Sequence, residues 1–214
     1  MKIIVSLRYN VKLYCEDKMQ INVQVLTSMA LSFFDYVERI NSLLRSWQRD
    51  DAELSMVPAV QLSALRYLSI CNHYSDTVMG VTDYLGLTKG TVSQSLKALE
   101  ERQWIYKEPD LQDKRIVHLK PTAAGLAVVQ QLVAVQVLQQ AVQLLGPELE
   151  QQLTGALHQL LSQVQQQQQR KSFGQCKSCR FHQQQDGLPF CGLTQQPLPV
   201  ASTELICREH QDPA

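Results

Sequence analysis

Apolar residues recur at three- and four-residue steps from Leu26 through Met29, Phe33, Val37, Ile40 and Leu44 to Trp47. That period keeps one face of an α-helix apolar, so the pattern predicts a helix of about six turns. The polar RDDAE stretch and Pro58 are expected to end it. A second helix is expected over Gln61 to Cys71, where Leu62, Leu65, Tyr67, Leu68 and Cys71 are its apolar positions. Thr77 reads as the cap of a short helix, VMGVTDYLG, which Gly86 is placed to close. Thr88 reads as the cap of TKGTVSQSLKALEERQW, whose inward face is Val92, Leu96, Leu99 and Trp104. Trp104 to Glu108 and Arg115 to Lys120 then have strand character on either side of the turn-rich PDLQDK, which predicts a hairpin.

From Thr122 to about Gln169 the pattern is helical again, broken at Gly146-Pro147. Leu149, Leu153, Leu157, Leu160 and Val164 follow a nearly heptad spacing that runs out into QQQQQ. A segment this apolar wants a partner helix, and Leu26 to Trp47 is the evident one. Intertwined dimerisation follows, with an intramolecular bundle as the alternative. Residues 1–18 fit poorly with what comes after, as a short ordered arm or as a leader preceding a start at Met19. Residues 170–214 form a small cysteine- and proline-rich module. The expected fold class is therefore mainly α with a small β-wing. Its parts are an N-terminal dimerisation helix (19–58), a winged helix-turn-helix (59–121), C-terminal dimerisation helices (122–169) and the Cys-rich module (170–214).

Net charge carries no signal, since twenty Lys and Arg balance twenty Asp and Glu. Distribution does carry one. Between Lys120 and Arg170 there is no Lys or Arg, whereas Lys89, Lys97, Arg102, Lys107, Lys114, Arg115 and Lys120 crowd together. A DNA-binding face needs such clustering and not a high overall charge. On the helix after Thr88, the residues Lys89, Thr91, Ser93, Gln94 and Lys97 face outward. Gln94 suits bidentate contact with an adenine, Thr91 a thymine methyl, and Ser93 and the lysines phosphates. A basic hairpin tip directly after that helix is the geometry of a wing, with Asp113, Lys114 and Arg115 at its end.

LTKGTVSQSLKALEERQWI, followed by PDLQDKRIVHLKPTAAG, resembles the multiple-antibiotic-resistance regulator (MarR) family. The resemblance implies double-stranded DNA as partner, a homodimer, and usually repression relieved by a small-molecule or redox effector. It also implies that Asp113 braces Arg115 by a charge-assisted hydrogen bond, that Arg115 enters the minor groove, and that Asp110 opens the wing turn. The chain departs from the family at Gln103, where a glycine is usual, and at Gln112, where an arginine is frequent. Cys15 and Cys71 are candidate redox positions, with a leader residue and a small core residue as the plainer readings.

In the tail, Cys176, Cys179, Cys191 and Cys207 are separated by two, eleven and fifteen residues. A two-residue gap lets both sulfurs face one metal, and two distant cysteines can complete the shell. Two cofactors are open. Zinc would use Cys176, Cys179 and Cys207 with His210, leaving Cys191 spare and His182 as a further candidate. All four cysteines together would hold a four-iron (4Fe-4S) cluster as readily. With Phe181 and the CGL segment, they resemble the cluster-binding pattern of high-potential iron–sulfur proteins.

The sequence has no apolar run of the ~18 to 20 residues that span a bilayer, and the expected location is the cytoplasm. There is no glycine-rich phosphate loop and no nucleophile–base signature, so no enzyme is expected. The competing class is an enzyme or electron carrier, with the cysteine module as a redox centre on a helical scaffold and a vestigial helix-turn-helix. A third, a protein-interaction adaptor, explains the glutamine-rich helix but not the Asp-Lys-Arg wing.

Overall fold

The computed structural model describes residues 31–50, 54–111 and 113–213. The expected positions Cys15, Met19, Leu26, Met29 and Gln112 lie outside them. The chain divides into two compact units, Met1–Asn41 and Ser42–Ala214.

In the first unit the described residues begin helix α1 (Phe33–Asp50). Its start is fixed by a reciprocal cap. Asp35 Oδ2 accepts from the Ser32 backbone N–H at 2.7 Å, while Ser32 Oγ accepts from the Asp35 N–H at 3.4 Å. Helix α1 buries none of its residues and exposes Phe33, Tyr36, Val37 and Ile40.

The second unit is built around α2 (Ala59–Ile70), α3 (Val78–Leu85) and α4 (Lys89–Glu101), followed by an antiparallel hairpin of β1 (Ile105–Pro109) and β2 (Val117–Pro121). The local signals act as their chemistry requires. Thr77 Oγ1 accepts from the Gly80 N–H, Thr88 Oγ1 from the Thr91 N–H, and Gly86 sits at φ 64° as the left-handed C-cap of α3. Leu62, Leu65, Tyr67 and Leu68 of α2 pack with Val81, Val92, Leu96, Leu99, Ile105 and Leu119 in one buried cluster. Each large side chain so buried contributes about 1.5 to 3 kcal/mol.

Helix α4 ends at Glu101, earlier than the expected Trp104, in a Schellman turn. The Trp104 N–H bonds Leu99 O at 3.0 Å and the Gln103 N–H bonds Glu100 O at 2.9 Å. Gln103 stands at φ 58°, in the left-handed region. This is the position where the resembled family favours glycine, and the reason is now visible: a side chain there carries a conformational cost of about 1–2 kcal/mol.

The expected single helix after Thr122 is two. Helix α5 (Ala123–Gln130) stops at Gln131–Leu132, and α6 (Val133–Gln143) leaves at 52° to it. Leu132 packs partly against the core with extended ψ, and Gln136 Nε2 caps the Gln130 carbonyl at 2.6 Å, which turns the chain without a glycine or proline. The break at Gly146-Pro147 stands as expected, with Gly146 at φ 82° and α7 (Pro147–Gln167) beyond it. No single helix among the described residues is long and apolar enough to cross a membrane.

The C-terminal segment folds as short strands β3 (Gly174–Gln175), β4 (His182–Gln185), β5 (Leu188–Cys191), β6 (Gln196–Pro197) and β7 (Ile206–Cys207), with 3-10 turns at Cys176–Ser178 and Val200–Glu204. It packs on the winged helix. Phe173 lies edge-on to Tyr67 and Tyr84, Ile206 packs against the main core, and the Asn72 N–H donates to Ile206 O at 2.9 Å.

Candidate nucleic-acid interface and cysteine cavity

Helices α3 and α4, joined at Gly86-Leu87-Thr88, form a helix-turn-helix, and α4 is its outer helix. Val92, Ser95, Leu96 and Leu99 are buried, whereas Thr88, Lys89, Thr91, Ser93, Gln94 and Lys97 are exposed. Thr91 Oγ1 lies 2.9 Å from Thr88 Oγ1, so its hydroxyl is tied to the cap. Lys97 makes an exposed pair with Glu101 at 3.7 Å, which is too weak to immobilise it.

The hairpin carries the second set. Asp110 Oδ1 accepts from the Asp113 N–H at 2.7 Å and closes the wing turn. Asp113 then takes Arg115 in a bidentate grip, Nε at 2.9 Å and Nη2 at 2.7 Å, and also accepts its backbone N–H at 3.0 Å. Those hydrogen bonds hold the Asp113 carboxyl below its ordinary range and raise Arg115. The Arg115 side chain is nonetheless 90% exposed, so the pair does little for stability. What it fixes is direction: an exposed guanidinium on a two-residue tether. Lys114 is exposed beside it. A groove of about 1010 Å³ runs between α4 and the wing, lined by Lys89, Ser93, Asp113, Arg115, Lys120 and Arg208 among others. The candidate residues Thr88, Thr91, Gln94, Lys97 and Lys114 lie outside its walls.

Beneath the wing lies a buried polar cluster that sequence reading missed. His118 Nδ1 is 2.5 Å from Asp76 Oδ1 and its Nε2 is 3.1 Å from Asp110 Oδ2, while Lys120 Nζ is 2.6 Å from Asp76 Oδ2. Burial by itself would disfavour the imidazolium, but the two carboxylates outweigh it and raise His118 above 6.5. A proton held more tightly in the folded than in the unfolded chain stabilises the fold fully below 6.5. That stabilisation is lost as pH rises through the raised folded value. His118→Gln should therefore melt lower than the parent below pH 6.5, with the gap narrowing as pH rises. Melting curves of both across that range check it, and a gap independent of pH would contradict it.

The four tail cysteines are free thiols that line a single cavity of about 150 Å³. A tight turn, in which the Cys179 N–H bonds Cys176 O at 3.1 Å, sets the first pair on one rim. The ends of β5 and β7 bring Cys191 and Cys207. Tyr74, Phe181, His182, Leu193, Leu198 and Asn72 complete much of the wall. Burial, and next the neighbouring Cys207, Cys191 and Cys179 sulfurs, push the Cys176 thiol up to about 11. Among the described residues, no three His, Cys, Asp or Glu side chains stand close enough to hold one metal ion. His210, a ligand in the zinc alternative, is outside the cavity wall, its Nε2 3.1 Å from Ser178 Oγ. His182 is in the wall. Cys71 is a core residue: burial first, then Asp76, push its thiol up to about 12, far from a reactive thiolate.

Asn72, Tyr74 and Arg208 were also invisible to sequence reading. Only the adjacency of Arg208 to Cys207 could have pointed to any of them, because their contacts span more than a hundred residues.

Residues 57–116 match a sequence model of the MarR family. Comparison with curated proteins finds no match. Among solved structures the chain is similar to a mutant form of MepR from a multidrug resistant S. aureus clinical isolate. The two are 26% identical with a TM-score of 0.53, over 64% of this chain and 100% of that one. It is also similar to an S. aureus MepR–DNA complex (24% identity, TM-score 0.49, 63% of this chain and 99% of that one). A third similarity is to MepR described as a transcription regulator of the S. aureus multidrug efflux pump MepA (23%, 0.45, 63% and 100%). The matched family segment ends before the four tail cysteines. Over residues 57–116 the chain is therefore similar to the MarR family, and a four-cysteine module follows that segment.

Proposed function

We propose that the chain is a sequence-specific, DNA-binding transcriptional regulator that acts in the cytoplasm as a homodimer and represses by occupying its operator. The observation that carries this reading is the pairing of two exposed polar elements across one groove. The start of α4 puts Lys89 and Ser93 on the groove wall, with Thr91 and Gln94 exposed beside it, and the wing presents Arg115 on its Asp113 brace. A helix with that surface suits the major groove, and a directed arginine suits the adjacent minor groove.

Dimerisation rests on uncovered apolar faces. Helices α6 and α7 bury no residue, and α7 leaves Leu149, Leu153, Leu157, Leu160 and Val164 each 39–54% exposed along one line. A soluble chain covers such a stripe with a partner. A second copy does so symmetrically and sets two recognition helices for a palindromic site. A cavity of about 160 Å³ lined by Leu54, Leu62, Arg66 and Leu132 offers room for a small effector. The tail cysteines bind a metal or an iron–sulfur centre that reports redox state.

The test is selection of bound duplexes from a random pool, followed by affinity for the selected duplex and a scrambled one at matched salt. Preference for the selected duplex of about a thousandfold or more is expected. Equal affinity for both would reject sequence-specific reading.

A further inference from the structure

We infer that Cys176, Cys179, Cys191 and Cys207 hold a four-iron, four-sulfide cluster, and that its loading sets the DNA-reading geometry through the segment Asn72–Asp76. The second half rests on the proposed DNA-binding function; the first stands alone.

Size favours a larger group over a single ion. Four thiolates at about 2.3 Å from one zinc close tightly around it and leave no void. Here the four cysteines surround a cavity of about 150 Å³, with no ion-sized group of ligands among the described residues. A cavity of that volume takes a body the size of benzene, on the order of 150 Å³. A cubane cluster is such a body, and it takes one cysteine at each of its four irons. All four tail cysteines are then used and none is spare.

The walls agree. Tyr74, Phe181, Leu193 and Leu198 shield the space from water, and Glu209 is the one carboxylate on its lining, already paired with Lys171 at 3.1 Å. Asn72 is 2% exposed, and its Nδ2 has no full hydrogen-bond partner, its side chain lying beside the Cys207 sulfur of the same wall. His182 Nδ1 is likewise buried and unpartnered. A buried donor left unsatisfied costs about 1–3 kcal/mol, and cluster sulfurs are acceptors of the kind missing here. The Gln211 N–H already reaches Cys179 Sγ at 3.5 Å. Hydrogen bonds to sulfur from backbone and amide groups are a main way proteins hold and tune such clusters.

The same wall is wired to the first helix of the helix-turn-helix, on which α4 packs, and to the wing. Asn72 donates its backbone N–H to Ile206 O, one residue before Cys207. Ser75 Oγ accepts from the Arg208 N–H at 2.9 Å, and Arg208 Nη2 grips Asp83 Oδ2 of α3 at 2.5 Å. Asp76 holds the wing, accepting from the Leu119 N–H at 2.7 Å and pairing with His118 and Lys120. Cys207 is part of the cavity wall and Arg208 follows it in the chain, so loaded and empty chains place α3 and the wing differently. Linkage makes the effect reciprocal: a cluster that favours one DNA-reading geometry changes DNA affinity by the same factor by which DNA changes cluster affinity.

The full chain, purified without air from iron-supplied cells, should be brown, with broad visible absorption and about four irons and four sulfides per chain. Cys191→Ser should lose that absorption, while Cys71→Ala, outside the cavity, should keep it. The zinc probe is zinc alone added to chelator-emptied protein. A colourless native protein carrying about one zinc, or none, overturns the cluster even if Cys191→Ser fails to fold. Loaded and emptied chains should differ in affinity for the selected duplex by about fivefold or more. Arg208→Gln should keep the chromophore and abolish that difference. A chromophore with identical DNA affinity in both states overturns the coupling. A chromophore on a chain that binds no DNA in either state overturns the proposed function and leaves the cluster standing. DNA binding without a chromophore does the reverse.

Discussion

Arg115→Ala weakens binding to the selected duplex by roughly ten- to a hundredfold at matched salt, the range for one good base-pair contact. Its melting temperature and dimer mass stay those of the parent. The reason lies in the geometry of the wing. The side chain is 90% exposed and, among the described residues, its hydrogen bonds go to Asp113 alone, so removing it leaves no hole in the core. All of its loss falls on the DNA. Lysine at the same position keeps a charge but cannot reproduce the two-pronged bond that Nε and Nη2 make to Asp113. Arg115→Lys should accordingly recover phosphate attraction and only part of the sequence preference. Filter binding or fluorescence anisotropy with selected and scrambled duplexes separates the two. An Arg115→Ala chain that binds the selected duplex as the parent does would remove the wing from the interface.

Assembly gives the other large effect. Leu153 and Leu160 lie on the uncovered line of α7, 39% and 41% exposed in the single chain. Aspartate at both positions disturbs little within one chain, since α7 buries no residue. In a symmetric dimer each change occurs twice, and four carboxylates would have to be desolvated in one seam. The double variant is expected to run as a monomer by light scattering. Its affinity for a palindromic duplex should fall by about a thousandfold, towards the level of non-specific binding, because a single recognition helix reads half a site. A double variant that keeps the dimer mass would place the seam on another face.

What the sequence made legible follows the range of the forces involved. Thr77, Thr88 and Gly86 could be assigned because a cap is satisfied within three residues of itself. The inward faces of α2 and α4 could be assigned because burial imposes a helical period. The break between α5 and α6 left no such mark: Leu132 turns the chain by packing against the core, and the cap on Gln130 is a glutamine side chain among many glutamines. Gln103 was marked only as an odd residue for its position, and the structure supplies the left-handed φ that makes it odd. The pairs Asp76–His118, Ser75–Arg208 and Asn72–Ile206 join segments far apart in sequence, and neither member of any pair is unusual by itself. Cysteine spacing suggested one shared site, and the four sulfurs line one cavity. It could not foresee the size of the space between them.

In the proposed complex, α4 and the wing of two chains read adjacent grooves of one duplex. A chemical footprint on the selected duplex tests it most directly. Two protected half-sites are expected, centred about one helical turn apart, with guanine N7 protected in the major groove and flanking minor-groove protection that disappears in Arg115→Ala. Protection of one half-site only, or minor-groove protection that survives loss of Arg115, would contradict it.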